Sequence, residues 1–235
     1  MTEALYLNDS YLKEFEAKVV KAEDGKVILD KTAFYPESGG QPCDFGKLIR
    51  KSDNAEFSVN NVKKESGEIV HYTNSNLKEG DEVRGIIDWT RRYKLMRMHT
   101  AAHILGAVIN LQTNALITGN QLGIEKSRID FDLETLDRNA LKDYFAASNE
   151  AVKWDLPVVI HFATRDVLLN DKKLCKLLKG IPEDANEIRI IEVNIFDKQA
   201  CAGTHVRRTS EIGNIAFIDA ENRGASSKRI YFKLD

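Results

Sequence analysis

The sequence predicts an α+β protein in which a small N-terminal β-barrel is followed by a domain of helices packed against an antiparallel sheet. Two observations lead to this fold class. Up to residue 88, short apolar runs alternate with turn residues, as in the hairpin formed by "AKVVKA", "EDG" and "KVILD". After that point the apolar spacing becomes helical, with a period of about 3.6 residues. We therefore expect two domains, residues 1–88 and 89–235.

The first domain contains further strand patterns and one unusual loop. "GEIVHYT" and "DEVRGIIDW" read as strands separated by the polar turn "NSNLKEG". Several short strands with turn signals between them are typical of a small barrel or sandwich. The loop "FYPESGGQP" is embedded among these strands, and its paired glycines lie between two prolines.

The second domain begins with three predicted helices, which are followed by strands. Thr90 is the expected N-cap of the first helix, Pro157 is expected to end the second, and Gly180 to close the third. The helices are predicted at residues 90–112, 136–153 and 165–179. Alternating apolar residues predict a strand from Ile191 to Ile195, and two more strands are expected in "EIGNIAFIDAE" and "SKRIYFKL".

Composition and charge limit the classes of protein to which this chain can belong. The 235 residues are 43% hydrophobic and carry a net charge of −2, so the chain does not bind nucleic acid as a general polycation. Neither a membrane span nor a signal peptide is recognisable, and we expect a cytoplasmic monomer. The three cysteines have irregular spacing and predict no disulfide framework. Structural roles are expected for Cys43, Cys175, His71 and His161.

Two short motifs point to a metal site. In "HTAAH", His99 and His103 lie four residues apart, and a helix projects such a pair from one face. In "CAGTH", Cys201 and His205 follow a predicted strand and are expected on a turn. Imidazole and thiolate ligands suit tetrahedral zinc. Either motif alone is more often surface or core decoration, but their co-occurrence favours a metal. The first motif has no glutamate between its histidines, so the base of a metalloprotease is missing.

The motifs also carry a resemblance to a known family. "FYPESGGQP", "HTAAH" and "CAGTH", in that order, resemble the editing domain of alanyl-tRNA synthetase and, more closely, the free-standing AlaX trans-editing proteins of the medium-length class. "VRGIIDWTRRYKLMRMHTAAHILGAVI" and "KQACAGTHVRRTSEIGNIAF" extend the resemblance over most of the chain. One small departure is Ala202, where the synthetase commonly has glycine.

The resemblance implies a hydrolase that acts on mischarged tRNA(Ala). Its substrate would be tRNA(Ala) carrying serine, or glycine in some members, and the ester at the 3′-terminal adenosine would be cleaved. One Zn²⁺ per chain is implied, with His99, His103, Cys201 and His205 as ligands. Four protein ligands are the closed count of a structural site, whereas a catalytic zinc keeps an open position. Whether zinc activates water or only positions the substrate therefore stays open.

Substrate contacts are predicted in two segments. A seryl hydroxyl needs a hydrogen-bonding partner, and "ITGNQ" offers Thr118 first, then Asn120 and Gln121. The alternative is that "TGN" is only a turn. The family pattern implies that the loop with Gly39, Gly40 and Gln41 lies near the same site, with backbone N–H groups and the Gln41 side chain facing the substrate. Thr118 and Gln41 are the candidates for a role in catalysis.

An RNA surface is predicted from basic residues around both metal motifs. Arg92 lies seven residues before His99 and therefore on the same helical face. The other cations expected to meet RNA phosphates are Arg91, Lys94, Arg97, Arg207, Arg208, Lys228 and Arg229.

Three other functions fit parts of the same pattern. The editing domain of threonyl-tRNA synthetase shares the metal pairs, so Ser-tRNA(Thr) is an alternative substrate, although the "FYPESGGQ" segment favours the alanyl branch. An inactive, zinc-stabilised tRNA-binding module is a second alternative, and a zinc hydrolase of small esters is a third.

Overall fold

The computed structural model describes residues 2–135, 137–170, 187–194, 196–225 and 227–235. The chain divides into two compact units: the first comprises residues 1–96 and 122–124, the second residues 97–121 and 125–235. The boundary between the two units thus falls after Met96, inside the first helix. The domain boundaries at 1–88 and 89–235 stay a prediction.

The first unit is built on a closed barrel of six strands in the order β2-β3-β7-β6-β5-β8, in which every neighbouring pair is antiparallel. Strands β1 and β4 form a separate, short parallel pair in this unit. The strands are β1 (Glu3–Ala4), β2 (Glu14–Glu23), β3 (Lys26–Leu29), β4 (Lys31–Thr32), β5 (Gly46–Arg50), β6 (Glu56–Glu65), β7 (Glu68–Thr73) and β8 (Glu82–Ile87).

Strand alternation directs one face of each strand into the barrel. In β2, Phe15, Ala17 and Val19 are buried while the residues between them are exposed. Each fully buried large aliphatic or aromatic side chain contributes about 1.5–3 kcal/mol relative to exposure. The predicted "EDG" hairpin is confirmed: Glu23 pairs with Lys26, and Asp24 and Gly25 both have positive φ, as a two-residue type I′ turn requires.

The second unit contains two antiparallel sheets. The larger has the strand order β14-β15-β10-β9, and the smaller the order β11-β12-β13. The strands are β9 (Ile117–Gln121), β10 (Ser127–Phe131), β11 (Val158–Ala163), β12 (Ile188–Val193), β13 (Asp197–Ala200), β14 (Ile215–Gly224) and β15 (Ser227–Leu234).

The described residues form three α-helices: α1 (Trp89–Thr113), α2 (Arg138–Lys153) and α3 (Arg165–Asn170). The prediction that Thr90 is the N-cap of α1 was wrong. The helix already begins at Trp89, and the Asp88 carboxylate accepts the Arg91 N–H at 3.1 Å. Asp137 caps α2 through the Asn139 N–H at 2.8 Å. Leu136 and the later part of the third predicted helix, with Cys175 and Gly180, lie outside the described residues.

Burial along α1 is wider than the predicted stripe. Residues 98–109 are all buried, so the helix is covered on every side over this stretch. Strand β12 is likewise buried at Ile188, Arg189, Ile190 and Ile191, and from Ile191 to Asn194 buried residues alternate with more exposed ones, as predicted. Strand β12 begins at Ile188, three residues before the predicted start, and Ile195 lies outside the described residues. None of the helices in the described part of the chain combines the length and apolarity that a membrane span needs.

The predicted α+β class, with a small barrel first and helices with antiparallel sheets after it, is confirmed.

Candidate metal centre and substrate contacts

The four predicted ligands come from two places in the second unit. His99 and His103 lie one turn apart in the buried part of α1. Cys201 and His205 lie on the irregular loop that follows β13, as the glycine in "CAGTH" indicated. A helix and a loop thus contribute one pair each, with 97 residues between His103 and Cys201.

The ligand atoms of these four residues converge. All of them lie within 4.8 Å of one another. The Cys201 Sγ is 3.5 Å from His99 Nε2 and 3.3 Å from His205 Nε2, and the His99 and His205 ring centroids are 4.3 Å apart. Separations of this size leave room for one cation bound by all four atoms. We call this group the metal cluster.

Two hydrogen bonds orient imidazoles of the metal cluster, and their partners belong to neither sequence motif's predicted ligand set. Asp197 Oδ2 lies 2.8 Å from His103 Nδ1, and Thr100 Oγ1 lies 3.1 Å from His205 Nδ1. With Nδ1 engaged in each ring, Nε2 is left for a metal. Thr100 could have been noticed because it follows His99 directly, but nothing in the sequence pairs Asp197 with His103.

Arg189 fixes the loop that carries Cys201. Its Nη1 donates to the carbonyl oxygens of Cys201 and Gly203 at 2.7 and 2.9 Å, and its own carbonyl accepts the Cys201 N–H at 3.1 Å. The Gly203 N–H approaches the Cys201 sulfur at 3.4 Å, which favours a thiolate. A charged residue on a buried strand therefore has a structural role beside the metal cluster.

The electrostatics of the cluster favour cation binding. Burial alone would raise the pKa of the Cys201 thiol, but the imidazoles of His99 and His205 bring it well below its usual value. Burial also holds the pKa of His205 well below its usual value. For His103, burial acts to lower the pKa, but the Asp197 carboxylate and the Cys201 sulfur together raise it to about 10. A thiolate with a nearby carboxylate attracts positive charge, and three imidazoles complete a four-donor set.

The segment "ITGNQ" forms β9, the edge strand of the larger sheet, and not a turn. The register with β10 shifts so that Thr118 has no partner, because Asp130 pairs with Gly119 and Phe131 with Ile117. The bulged Thr118 is exposed. Asn120 is half-buried, and its buried Oδ1 finds no hydrogen-bond donor among the described residues. Such an atom is expensive to bury and indicates a missing partner.

Gln121, the third residue predicted to contact serine, forms a side-chain hydrogen bond to a residue of the neighbouring strand β10. Its side chain is exposed, and its Oε1 accepts from Arg128 Nε at 3.3 Å.

The glycine-rich loop of the first unit is a tight turn. Gly39 and Gly40 have φ values of 57° and 81°, and Ser38 and Gln41 exchange backbone hydrogen bonds across them at 2.9 and 3.2 Å. The Gly40 carbonyl accepts the Leu122 N–H at 2.8 Å. Gln41 is completely buried, so a direct contact of its side chain with substrate does not fit this structure. Gly39 and Gly40 stay predicted contacts.

Arg92 was wrongly predicted to contact RNA. Its side chain is 0% exposed and forms a buried ion pair with Asp44, with Nε 2.9 Å from Oδ1 and Nη2 also bonded to Oδ2. Arg92 also donates to the carbonyls of Ser10 and Ala33 at 2.9 and 2.5 Å. A guanidinium with these partners has no surface to offer a phosphate, and Arg92 instead stabilises the first unit.

The other cations predicted to contact RNA differ in their burial and in their partners within the protein. Lys228 is buried and donates to the Gly224 and Ala225 carbonyls, so the RNA prediction was wrong for it as well. Arg97 donates to the Ile212 carbonyl at 2.7 Å, and Arg229 pairs with Asp130. Lys94 and Arg207 are exposed.

The residues expected to be structural behave differently from one another. His71 is buried between Thr32 and the Val27 carbonyl, and Cys43 is buried beside Asn61. His161 is about half exposed, with its Nε2 3.4 Å from Glu192.

Comparisons with known proteins give a consistent result. A family model described as "tRNA synthetases class II (A)" matches residues 3–91, and one described as "Threonyl and Alanyl tRNA synthetase second additional domain" matches residues 188–231. The chain is 47% identical to an "Alanyl-tRNA editing protein AlaX-M" of Methanosarcina barkeri, over 100% of this chain and 99% of that relative. A relative of the same name in Saccharolobus solfataricus is 43% identical over 100% of this chain and 99% of its own length. An "Alanine--tRNA ligase" of Halobacterium salinarum is 38% identical, over 98% of this chain but 26% of the ligase.

Proposed function

Since the chain belongs to the AlaX-M family of alanyl-tRNA editing proteins, we propose that it hydrolyses mischarged Ser-tRNA(Ala) in trans, with Gly-tRNA(Ala) as a second substrate. The bond cleaved is the aminoacyl ester at the 3′-terminal adenosine. The observation that carries this proposal is the convergence of His99, His103, Cys201 and His205. A family resemblance alone would also fit an inactive relative, whereas an intact metal cluster supports retained chemistry.

The donor set fits zinc. Three imidazoles and one thiolate are borderline-soft ligands of the kind zinc prefers, and the contacts of Asp197 and Thr100 leave the Nε2 atoms of His103 and His205 for the ion. When bound, zinc supplies a positive charge that can orient the aminoacyl ester and stabilise negative charge developing on its carbonyl oxygen. Four protein ligands favour this orienting role.

The protein's own residues have a modest chemical task. An aminoacyl ester is already activated, so its hydrolysis needs a positioned water and stabilisation of the oxyanion more than it needs a strong base. The metal cluster is buried, with His99, His103 and His205 only 4–6% exposed, which keeps bulk water away from its charges. Electrostatic interactions are stronger in such an environment.

Recognition of serine is assigned to β9. Thr118 can donate to or accept from the seryl hydroxyl, and the Asn120 Oδ1 can accept a hydrogen bond that no described residue provides. A site that bonds a hydroxyl rejects alanine, because its polar groups are then left without partners. The unpaired oxygen makes Asn120 a stronger candidate than its place in the sequence indicated.

The test is the release of radiolabelled amino acid from charged tRNA. We expect the purified protein to release serine from tRNA(Ala) well above the uncatalysed rate, glycine more slowly, and alanine least. Charged tRNA(Thr) is the comparison substrate. Faster release of serine from tRNA(Thr) would assign the protein to threonyl-type editing, and no release from either tRNA would leave a tRNA-binding module as the function.

A further inference from the structure

We propose that the first unit stacks an unpaired base of tRNA on an aromatic platform made of Tyr11, Trp89 and Tyr93. This inference rests on the proposed function, because it takes tRNA as the partner. It identifies a surface that the basic pattern of the sequence located only approximately, at the start of α1.

The aromatic platform is a compact group of three rings. The Trp89 and Tyr93 centroids are 5.5 Å apart with an interplanar angle of 26°, a stacked arrangement one helical turn apart. Tyr11 approaches Trp89 at 5.6 Å and Tyr93 at 6.5 Å. All three residues are half-buried.

The platform is separate from the aromatic residues that hold the barrel together. Tyr6 and Tyr35 are 1% and 2% exposed and meet edge to face within the barrel core. Tyr11, Trp89 and Tyr93 are not members of that core cluster. Burial in the core therefore accounts for Tyr6 and Tyr35. Aromatic rings that stay partly exposed to water are, by contrast, the surfaces on which proteins stack unpaired bases.

One lysine contacts the platform, and further basic residues follow Trp89 in α1. The Lys13 Nζ lies 4.5 Å from the Trp89 ring centroid, and both Lys13 and Lys94 are exposed. Arg91 lies 3.9 Å from the Phe45 centroid and donates to the Cys43 carbonyl. The nearby carboxylates, Asp9 and Asp88, each accept a backbone N–H, from Tyr11 and Arg91 respectively. Flexible lysines beside rings match a nucleotide, because the base stacks while the ammonium meets the phosphate.

Kinetics with matched controls test the platform. Trp89→Leu and Tyr93→Leu keep apolar bulk but remove the flat rings. Each is expected to raise KM for Ser-tRNA(Ala) on the order of ten-fold with little change in kcat, since base stacking contributes to binding. Tyr72 is the control, because it is another half-buried tyrosine of the first unit with a lysine, Lys26, 5.4 Å from its ring. Tyr72→Leu is expected to leave KM unchanged.

Charge is tested in the same way. Lys13→Gln is expected to reduce the salt slope of tRNA binding by about 1, and Lys26→Gln to leave that slope unchanged.

Fluorescence provides a test that keeps the platform intact. The chain has two tryptophans, and Trp154 is 58% exposed in the second unit. In a Trp154→Phe background, Trp89 is the remaining tryptophan. Titration with uncharged tRNA should quench its emission saturably, because a base stacked on the indole quenches it. Double-stranded RNA without unpaired nucleotides should not.

The possible results separate this inference from the proposed function. Active protein that binds tRNA without quenching Trp89, or whose KM is unaffected by Trp89→Leu and Tyr93→Leu, would overturn the platform and leave the deacylase standing. Quenching by tRNA in a protein that releases no amino acid would support the platform and overturn the proposed reaction. An equal effect of Tyr72→Leu would show a general loss of structure and count against the platform.

Discussion

Single side chains decide the chemistry of the metal cluster. Each of two histidines has one nitrogen occupied by a neighbour, Asp197 for His103 and Thr100 for His205, so the rings are held before any ion binds. Preorganised ligands lose little freedom on binding, which favours tight coordination.

The first prediction concerns the metal. We expect one zinc per chain, and Cys201→Ser or His99→Ala should lose it together with most deacylase activity, because three remaining donors cannot close the tetrahedral set. Elemental analysis and serine release measure both. Cys43→Ser is the matched control, since Cys43 is a buried free cysteine of the first unit and is not one of the four clustered residues. Full activity in protein without stoichiometric zinc would contradict the assignment.

The second prediction concerns Asp197. Asp197→Asn keeps the size of the side chain but removes the charge that faces His103 Nδ1 at 2.8 Å. Loss of such a contact typically weakens metal binding about 10- to 100-fold. Competition with a chromophoric chelator measures this change. Glu192→Gln, in the strand paired with β13, should leave zinc affinity unchanged. Wild-type affinity in Asp197→Asn would show that the carboxylate does not orient the ligand.

At the scale of elements, the edge strand β9 carries the proposed serine contacts, and helix α1 carries the buried Arg92. The bulge at Thr118 removes one residue from the ladder with β10 and re-aims its side chain. Edge strands and bulges are common beside binding sites for this reason, and the two side chains assigned to serine both lie on β9.

The third prediction concerns Thr118. Thr118→Val keeps the volume and removes the hydroxyl, so hydrolysis of Ser-tRNA(Ala) should fall several-fold, because a net hydrogen bond is worth about 1 kcal/mol. Hydrolysis of Ala-tRNA(Ala) should not fall, because alanine makes no such bond. Both rates are measured on the same tRNA. An equal decrease for both substrates would transfer the serine contact to Asn120, whose oxygen has no described donor.

The fourth prediction concerns the buried ion pair of α1. Arg92→Met leaves Asp44 charged, buried and without its partner, so unfolding free energy should fall by about 3–5 kcal/mol. Urea denaturation measures this loss. Arg84→Met is the control, because Arg84 is half exposed and 3.8 Å from Glu14, and exposed pairs contribute about 1 kcal/mol or less. A stable Arg92→Met protein with a weakened tRNA salt slope would restore the RNA role.

At the scale of the whole molecule, stability should depend on pH through His71. The Val27 carbonyl can only accept a hydrogen bond, so His71 Nδ1 must donate at 3.1 Å, and Nε2 accepts from the Thr32 hydroxyl at 2.8 Å. This neutral ring is completely buried, and burial lowers the pKa of His71 from 6.5 to about 4.

The fifth prediction follows from that shift. Because the folded pKa is below the unfolded value, the unfolded chain binds a proton first as pH falls. The contribution of His71 is therefore complete above pH 6.5 and lost as pH falls to about 4, a total of about 3 kcal/mol. Urea unfolding of wild type and His71→Gln should show a gap that narrows by this amount between pH 7 and 4. A constant gap for His71→Gln would contradict the prediction.

Local patterns explain why part of the fold could be predicted. The hairpin at Asp24-Gly25 follows from residues adjacent in the chain, and the strands β14 and β15 from their own apolar spacing. The missed features depend on distant partners. Arg92 looked like a surface cation because its partner Asp44 lies 48 residues earlier, and the buried Arg189 depends on the carbonyls of Cys201 and Gly203, which follow more than ten residues later.

The sequence by itself determined the fold class, the four residues that could hold a metal and the family resemblance, because residue types and spacings within short motifs carry that information. Only the tertiary structure decided that Arg92 and Lys228 are buried, that Asp197 and Thr100 orient the imidazoles, and that Thr118 lies on a bulge. Burial and hydrogen bonding between residues far apart in the chain arise only when the chain is folded, and no local pattern records them.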